Sequence, residues 1–319
     1  MKSIPEILAE ELGQKLEYVQ NVVNLMDEGN TIPFIARYRK EMHGAMDDTT
    51  LRNLETRLAY LRNLQERRDE VKKSIENQGK LTQELSDAID SAATMAEVED
   101  LYRPYKQKRR TRATVAREKG LEPLALLLLD QGRDCPAPEE AARDYVDPEK
   151  GVETLADALQ GANDIVAELL SDDAAIRKTL RELLRRQGHL RSLAATEEDT
   201  VYRLYYDFDQ PIAKLAGHQV LAVNRGEKEG VLKPNVILAG NEGAALVCRA
   251  ALKPTMQVSA FVRAAAEDAY ERLIFPSIQR EVRSDLSDRA YAGAIRNFAL
   301  NLKPLLMQPP VKGFVTMGL

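Results

Sequence analysis

Apolar residues along this chain recur mostly at intervals of three and four, the spacing that gives a helix one buried stripe. Ser3-Ile4-Pro5-Glu6 has the form of a capping box with proline in the first turn, opening a short helix that Gly13 ends. Val19, Val22, Val23 and Met26 predict a second helix over 15–28, closed by Gly29, and Thr31 caps a third over 33–40. Three short helices parted by single glycines form a helix-turn-helix-like head over 1–48.

The longest helical pattern runs from 50 to 78, with Leu51, Leu54, Leu58, Leu61, Leu64, Val71 and Ile75 on one face. At 1.5 Å per residue it would extend about 40 Å, the length of a strut. Thr94 and Glu97 form another capping box, leading towards Tyr105, and further helices are expected at 121–131, 139–145, 154–170 and 174–187. Gly132 to Pro138 has the composition of a linker. At Gly217 the period shifts: 218–223 and 231–238 flank a charged, glycine-bearing loop, which predicts a β-hairpin. Helix returns near 258, breaks at Pro276 and continues to about 306.

The expected fold is therefore mainly α, with a helix-turn-helix-like unit, a long strut helix, a helical lobe and one small β-hairpin. Its segments are 1–48 (head), 49–131 (long helix and basic loop), 132–216 (helical lobe), 217–240 (hairpin) and 241–310 (C-terminal helices). Residues 311–319 read as the opening of a buried strand, and a strand beginning where the sequence stops implies a piece of a longer protein.

Of the 319 residues, 44% are apolar and 30% charged, enough for a packed core and too apolar for wholesale disorder. Aromatics at 5% without Trp argue against a β-sandwich or a base-stacking platform. A net charge of −5 excludes nucleic-acid binding through the overall field, so any such binding must come from a local basic patch. Cys135 and Cys248 are too far apart for a Cys-x-x-Cys pair. No run approaches about 18 apolar residues, and the first residues lack an apolar signal core, so a cytoplasmic protein with reduced thiols and no membrane contact is expected.

His43, His189 and His218 fall in no metal-ligand spacing, and no Gly-x-Gly-x-x-Gly, P-loop or Gly-x-Ser-x-Gly occurs. The acidic pairs Asp47-Asp48, Glu139-Glu140 and Asp172-Asp173 sit where helices begin, and the dipole accounts for them. The expectation is no enzyme, no metal and no cofactor.

Lys106, Lys108, Arg109, Arg110 and Arg112 crowd one short loop, where like charges repel unless anions compensate them. A phosphate backbone would do so, with Thr111 and Thr114 as further donors and Tyr102 and Tyr105 to stack on bases. An acidic surface of the same chain would compensate them equally. Arg37, Arg39 and Lys40 form a second candidate, read as a recognition helix facing a groove. Against that, Phe34, Ile35 and Tyr38 should be buried, and cations suit a helix C-terminus anyway. Arg177, Arg181 and Arg185 fall on one helical stripe, either tracking phosphates or lying on a solvated face.

Several of these stretches resemble the N-terminal part of the bacterial Tex transcription accessory proteins. They are Thr31-Ile-Pro-Phe-Ile-Ala-Arg-Tyr-Arg-Lys40, Glu99-Asp-Leu-Tyr-Arg-Pro-Tyr105 with the basic loop, Leu221-Ala-Val-Asn-Arg-Gly-Glu-Lys-Glu-Gly-Val-Leu232, Glu267-Asp-Ala-Tyr-Glu-Arg-Leu-Ile-Phe-Pro-Ser277 and Leu306-Met-Gln-Pro-Pro310. The resemblance implies a larger protein in which an RNase H-like (YqgF-type) domain, a helix-hairpin-helix module and an OB-fold RNA-binding domain follow. It implies RNA or DNA as partner, mainly through those later domains, RNA polymerase as a further partner, and a monomer. Two functions follow: a scaffold with non-specific phosphate contacts from the basic loop, or a module that docks on RNA polymerase or another assembly without touching nucleic acid. Gln219 stands where the family pattern has Arg, so that arginine's contact does not carry over.

Overall fold

The computed structural model describes residues 2–107, 109–253 and 258–309; Lys108 and the strand expected at 311–319 lie outside the described residues. The chain divides into two compact units, Met1–Lys106 and Gln107–Leu319. The division falls inside the segment expected to hold both the long helix and the basic loop.

The first unit is helical throughout its described residues: α1 (Ile4–Leu12), α2 (Leu16–Asp27), α3 (Ile32–Tyr38), α4 (Asp48–Glu76), α5 (Gln83–Ser91) and α6 (Met95–Tyr102). The local signals act as read. Ser3 and Glu6 close a capping box on α1, Gly13 ends it at φ +62°, and Thr94 with Glu97 repeats the box on α6. Asp47 caps α4, its side chain accepting the Thr50 N–H at 2.7 Å. The 29-residue α4 serves two separate cores. Leu51, Leu54, Leu58 and Leu61 pack with α1 to α3, while Leu64, Val71 and Ile75 pack with α5 and α6.

Two ion pairs tie the head to α4. Arg57 forks onto Glu11 with both bonds at 2.7 Å, and Arg62 reaches Asp27 at 2.8 Å. The guanidinium hydrogen bonds hold both carboxyls below the usual carboxylate range. A depressed carboxyl contributes stability above its unfolded pKa and loses it as pH falls through the folded value. The thermal midpoint is therefore expected to drop between neutrality and about pH 3, less steeply in high salt because the pairs are part-exposed. Circular-dichroism melts check it: Arg57→Met with Arg62→Met should flatten the dependence, and an unchanged profile would assign it to other groups.

The second unit carries α7 (Arg112–Glu118), α8 (Glu122–Asp130), α9 (Pro138–Ala142), α10 (Leu155–Ser171), α11 (Ala174–Gln187), β1 (His189–Ala194), β2 (Asp207–Pro211), α12 (Gly217–Lys228), β3 (Leu232–Ile237), α13 (Glu242–Ala251), α14 (Ser259–Asp268) and α15 (Phe275–Leu306). Leu124 and Leu128 of α8 and Ala141 of α9 enter the same core, so 132–138 joins two helices of one body. A π-helical turn over Ala269–Ile274 links α14 to α15. Pro276 thus follows directly on the π-helical turn, whose last bond runs from the Phe275 N–H to the Tyr270 carbonyl, and the irregularity precedes it.

The expected β-hairpin at 217–240 is corrected. Residues 217–228 are helix α12, and only β3 is strand, in an antiparallel sheet ordered β2-β1-β3. The run His218-Gln-Val-Leu-Ala-Val223 fits either period on its own. Burial of Val220, Val223 and Gly226 at three-residue steps selects the helix. Gly226, read as a turn residue, is needed for packing: a Cβ there would meet Leu232 Cδ1 at 2.6 Å. Gln219 has a local task, its side-chain carbonyl accepting the Ala216 N–H at 3.0 Å to cap α12. On β3, Gln279 of α15 donates to the Val236 carbonyl at 2.5 Å.

Candidate nucleic-acid interface

The basic loop begins where α6 ends. A single 3-10 turn, Arg103–Tyr105, closes the first unit, and Thr111 starts α7 in the second. Among its described cations, Lys106, Arg109, Arg110 and Arg112 are all exposed. Arg110 reaches Glu118 at 3.1 Å, but with 73% and 55% of the two side chains in solvent this pair is too weak to occupy the cation. The field of Arg112 bears on Asp164 of α10. Burial pushes that carboxyl up, while Arg272, 3.1 Å away, and Arg112 oppose the shift. The loop is therefore only lightly drawn to local acids.

Its C-terminal end is fixed. Thr111 Oγ1 accepts the Thr114 N–H at 3.0 Å, capping α7, and donates to Glu168 Oε2 at 2.9 Å. Arg117 donates to the other Glu168 oxygen at 2.7 Å, and the Thr111 and Thr114 hydroxyls lie 2.9 Å apart. This corrects the expectation for the two threonines: their hydroxyls are engaged in anchoring α7 to α10. Tyr102 is likewise engaged, with its hydroxyl 2.9 Å from Ser74 Oγ and Arg67 over its ring. It packs in the second core of its unit, not as an open stacking surface.

The recognition-helix reading of Arg37, Arg39 and Lys40 is corrected too. With Pro33 in its first turn, α3 is only seven residues long, and Arg39 and Lys40 lie beyond its end. All three cations are exposed. Ile35 is buried as expected, but Phe34 is only half-buried and Tyr38 is 56% exposed. Its ring tilts against Phe34 at 5.2 Å, and the Arg39 guanidinium covers the other end of that pair, 5.3 Å from the Phe34 centroid. An exposed tyrosine among three cations can stack on a base while they meet phosphates. Tyr38 is left outside the core because Ile32 and Ile35 bury the helix face.

Arg177 and Arg181 belong to the interior, while Arg185 at the end of the stripe is exposed. Arg177 and Arg181 are 1% and 4% exposed, and both bond Glu281 of α15, with Nη2 distances of 2.5 and 2.9 Å. Arg185 pairs with Asp285 one turn on. For Arg177 and Arg181 neither a phosphate track nor a solvated face survives, because Glu281 of α15 faces them, whereas Arg185 keeps 47% of its side chain in solvent beside Asp285. Asp47 and Asp173 cap helices, and Glu139 and Glu140 lie in a first turn, as their positions imply. Among the described residues no group of three His, Cys, Asp or Glu could hold a metal, and no helix is long and apolar enough to cross a membrane.

Comparison with known proteins matches residues 2–76 to the Tex-like protein N-terminal domain and residues 134–298 to the Tex central region-like family. The chain is 43% identical over 318 residues to YdcI of Bacillus subtilis, covering 98% of this chain and 44% of that protein. It is 37% identical over 332 residues to the transcriptional accessory protein Tex of Neisseria gonorrhoeae, covering 99% and 42%. Against the human S1 RNA-binding domain-containing protein 1 the figures are 29% over 332 residues, with 98% and 33% covered. The chain spans less than half the length of each of these relatives.

Proposed function

The chain belongs to the Tex family, and from that membership we propose that it is the N-terminal scaffold of a nucleic-acid-binding transcription accessory factor, with non-specific phosphate contacts made by the Lys106–Arg112 loop. The names of two relatives, one a transcriptional accessory protein and one an S1 RNA-binding domain protein, support the role in transcription and the RNA partner. The observation that carries the residue-level reading is the exposure of Lys106, Arg109, Arg110 and Arg112 on a chain whose net charge is negative. Cations held in solvent without a strong internal partner raise the local phosphate concentration and specify no base. Tyr38 with Arg37, Arg39 and Lys40 supplies a second, stacking contact of the same kind. In this reading the chain performs no catalysis of its own.

Fluorescence anisotropy with a labelled single-stranded oligonucleotide tests it. Log affinity should fall linearly with log salt, with a slope of about −0.7 per phosphate neutralised. Replacing Lys108, Arg109, Arg110 and Arg112 with alanine should remove binding. Undiminished binding in that variant would sink the loop assignment. No binding even at low salt would leave docking on polymerase or another assembly as the role of this chain.

A further inference from the structure

The second unit holds a cavity of about 330 Å³ where the end of α11, the 3-10 turn Ile212–Lys214, the start of α12 and the middle of α15 meet. Its inner wall is aliphatic, with Ile212 and Leu286 buried and Leu215 half-buried. Arg185 and Arg289 are the only ionisable side chains that line it, and both are exposed. Asp285 serves both: its carboxylate bonds Arg185, and its main-chain carbonyl accepts the Arg289 Nε–H at 3.3 Å. The two Nη groups of Arg289 bond nothing among the described residues, and Asp288 beside it is exposed and pairs with neither arginine. One paired carboxylate against two guanidiniums leaves the mouth cationic. Arg186, Lys214 and His218, each next in sequence to a lining residue, are exposed and add to that field.

Two more donors stand at the same mouth. Ala216 has no side-chain acceptor with which to cap α12, and the N–H groups of Gly217 and His218 find no partner among the described residues. Gly217 itself lines the cavity. Two guanidiniums and two open amides suit a dianion better than a single carboxylate, and a phosphate monoester carries close to two negative charges at neutral pH. The aliphatic wall selects the rest of the ligand. A sugar phosphate would set hydroxyls against Ile212 and Leu286, where no side chain can bond them, whereas a nucleobase lays a flat face on aliphatic carbon. The volume lies at the small end of ligand sites, about 300–1,000 Å³, and takes one nucleotide.

We propose that this cavity binds a nucleoside monophosphate, with the phosphate between Arg185 and Arg289 and the base against Ile212, Leu215 and Leu286. The inference does not depend on the phosphate-binding role of the basic loop. Isothermal titration of the whole chain with AMP should give a Kd of about 100 μM. Adenosine, which lacks the phosphate, and ribose 5-phosphate, which lacks the base, should each bind about tenfold more weakly or worse. Arg185→Ala and Arg289→Ala should each weaken AMP about tenfold, and Ala213→Trp, at a lining position, should block it. All three positions are exposed, so an unchanged melting curve separates a lost site from lost folding. Alanine at Arg109, Arg110 and Arg112 together should leave AMP affinity unchanged, so the cavity and the loop fail separately. A 5′-phosphorylated trinucleotide that competes as well as AMP would identify a strand end as the source of the nucleotide, and one that does not compete would identify a free nucleotide. No AMP binding at millimolar concentration, equal affinity for AMP and ribose 5-phosphate or inorganic phosphate, or undiminished binding in Arg289→Ala would overturn the proposal.

Discussion

Replacing Glu281 with alanine is expected to cost about 3–5 kcal/mol of stability, because it removes the carboxylate that bonds two buried guanidiniums of the second unit. Arg177 and Arg181 leave 1% and 5% of their side chains in solvent, and Glu281 bonds both. Without the carboxylate, two like charges face one another in a medium that screens them poorly. Glu281 itself is 36% exposed, so water can enter when it is removed, and the lower end of the range is expected. Replacing all three with apolar residues of similar volume should be far less costly, since a buried ion group and a packed apolar group are close in free energy. Urea denaturation checks both variants. A loss below about 1 kcal/mol for Glu281→Ala would mean that the other groups around the arginines suffice to hold them.

Leu54→Ala is expected to cost about 2–5 kcal/mol, and Leu64→Ala a similar amount, by opening a cavity in a core too small to refill it. Both leucines lie on α4 and are essentially unexposed, but they belong to different clusters. The two variants should therefore differ in place rather than size. Hydrogen exchange should quicken over α1 to α3 for Leu54→Ala and over α5 and α6 for Leu64→Ala. The same exchange map from both would show that the two clusters form one cooperative core.

What the sequence disclosed follows from the range over which each interaction acts. Capping boxes at Ser3 and Thr94, the glycine ends of α1 and α4 and the seven-residue stripe of α4 are settled within a few residues, and all were legible. The strands were not. Asp207-Phe-Asp-Gln-Pro211 is five mostly polar residues, and it is a strand because β1 lies beside it. α12 was mistaken for strand because the contact that decides its period comes from Leu232, beyond the glycine. Arg177 and Arg181 of α11 read as surface residues because the carboxylate that bonds them, Glu281, lies about 100 residues on. At the candidate site, the exposure of the basic loop could be anticipated from self-repulsion. The engagement of Thr111 could not, since Glu168 is 57 residues away.

The small sheet has two outer strands, and each is closed to further pairing by a different means. Along β3, Gln279 occupies the Val236 carbonyl, and Pro234 has no N–H to offer. Along β2, Asp207 and Asp209 are exposed and Pro211 ends the strand. An incoming chain would meet carboxylates on one border and an occupied acceptor on the other. Among the described residues this sheet, the one place where strands pair, therefore presents no template for fibril growth.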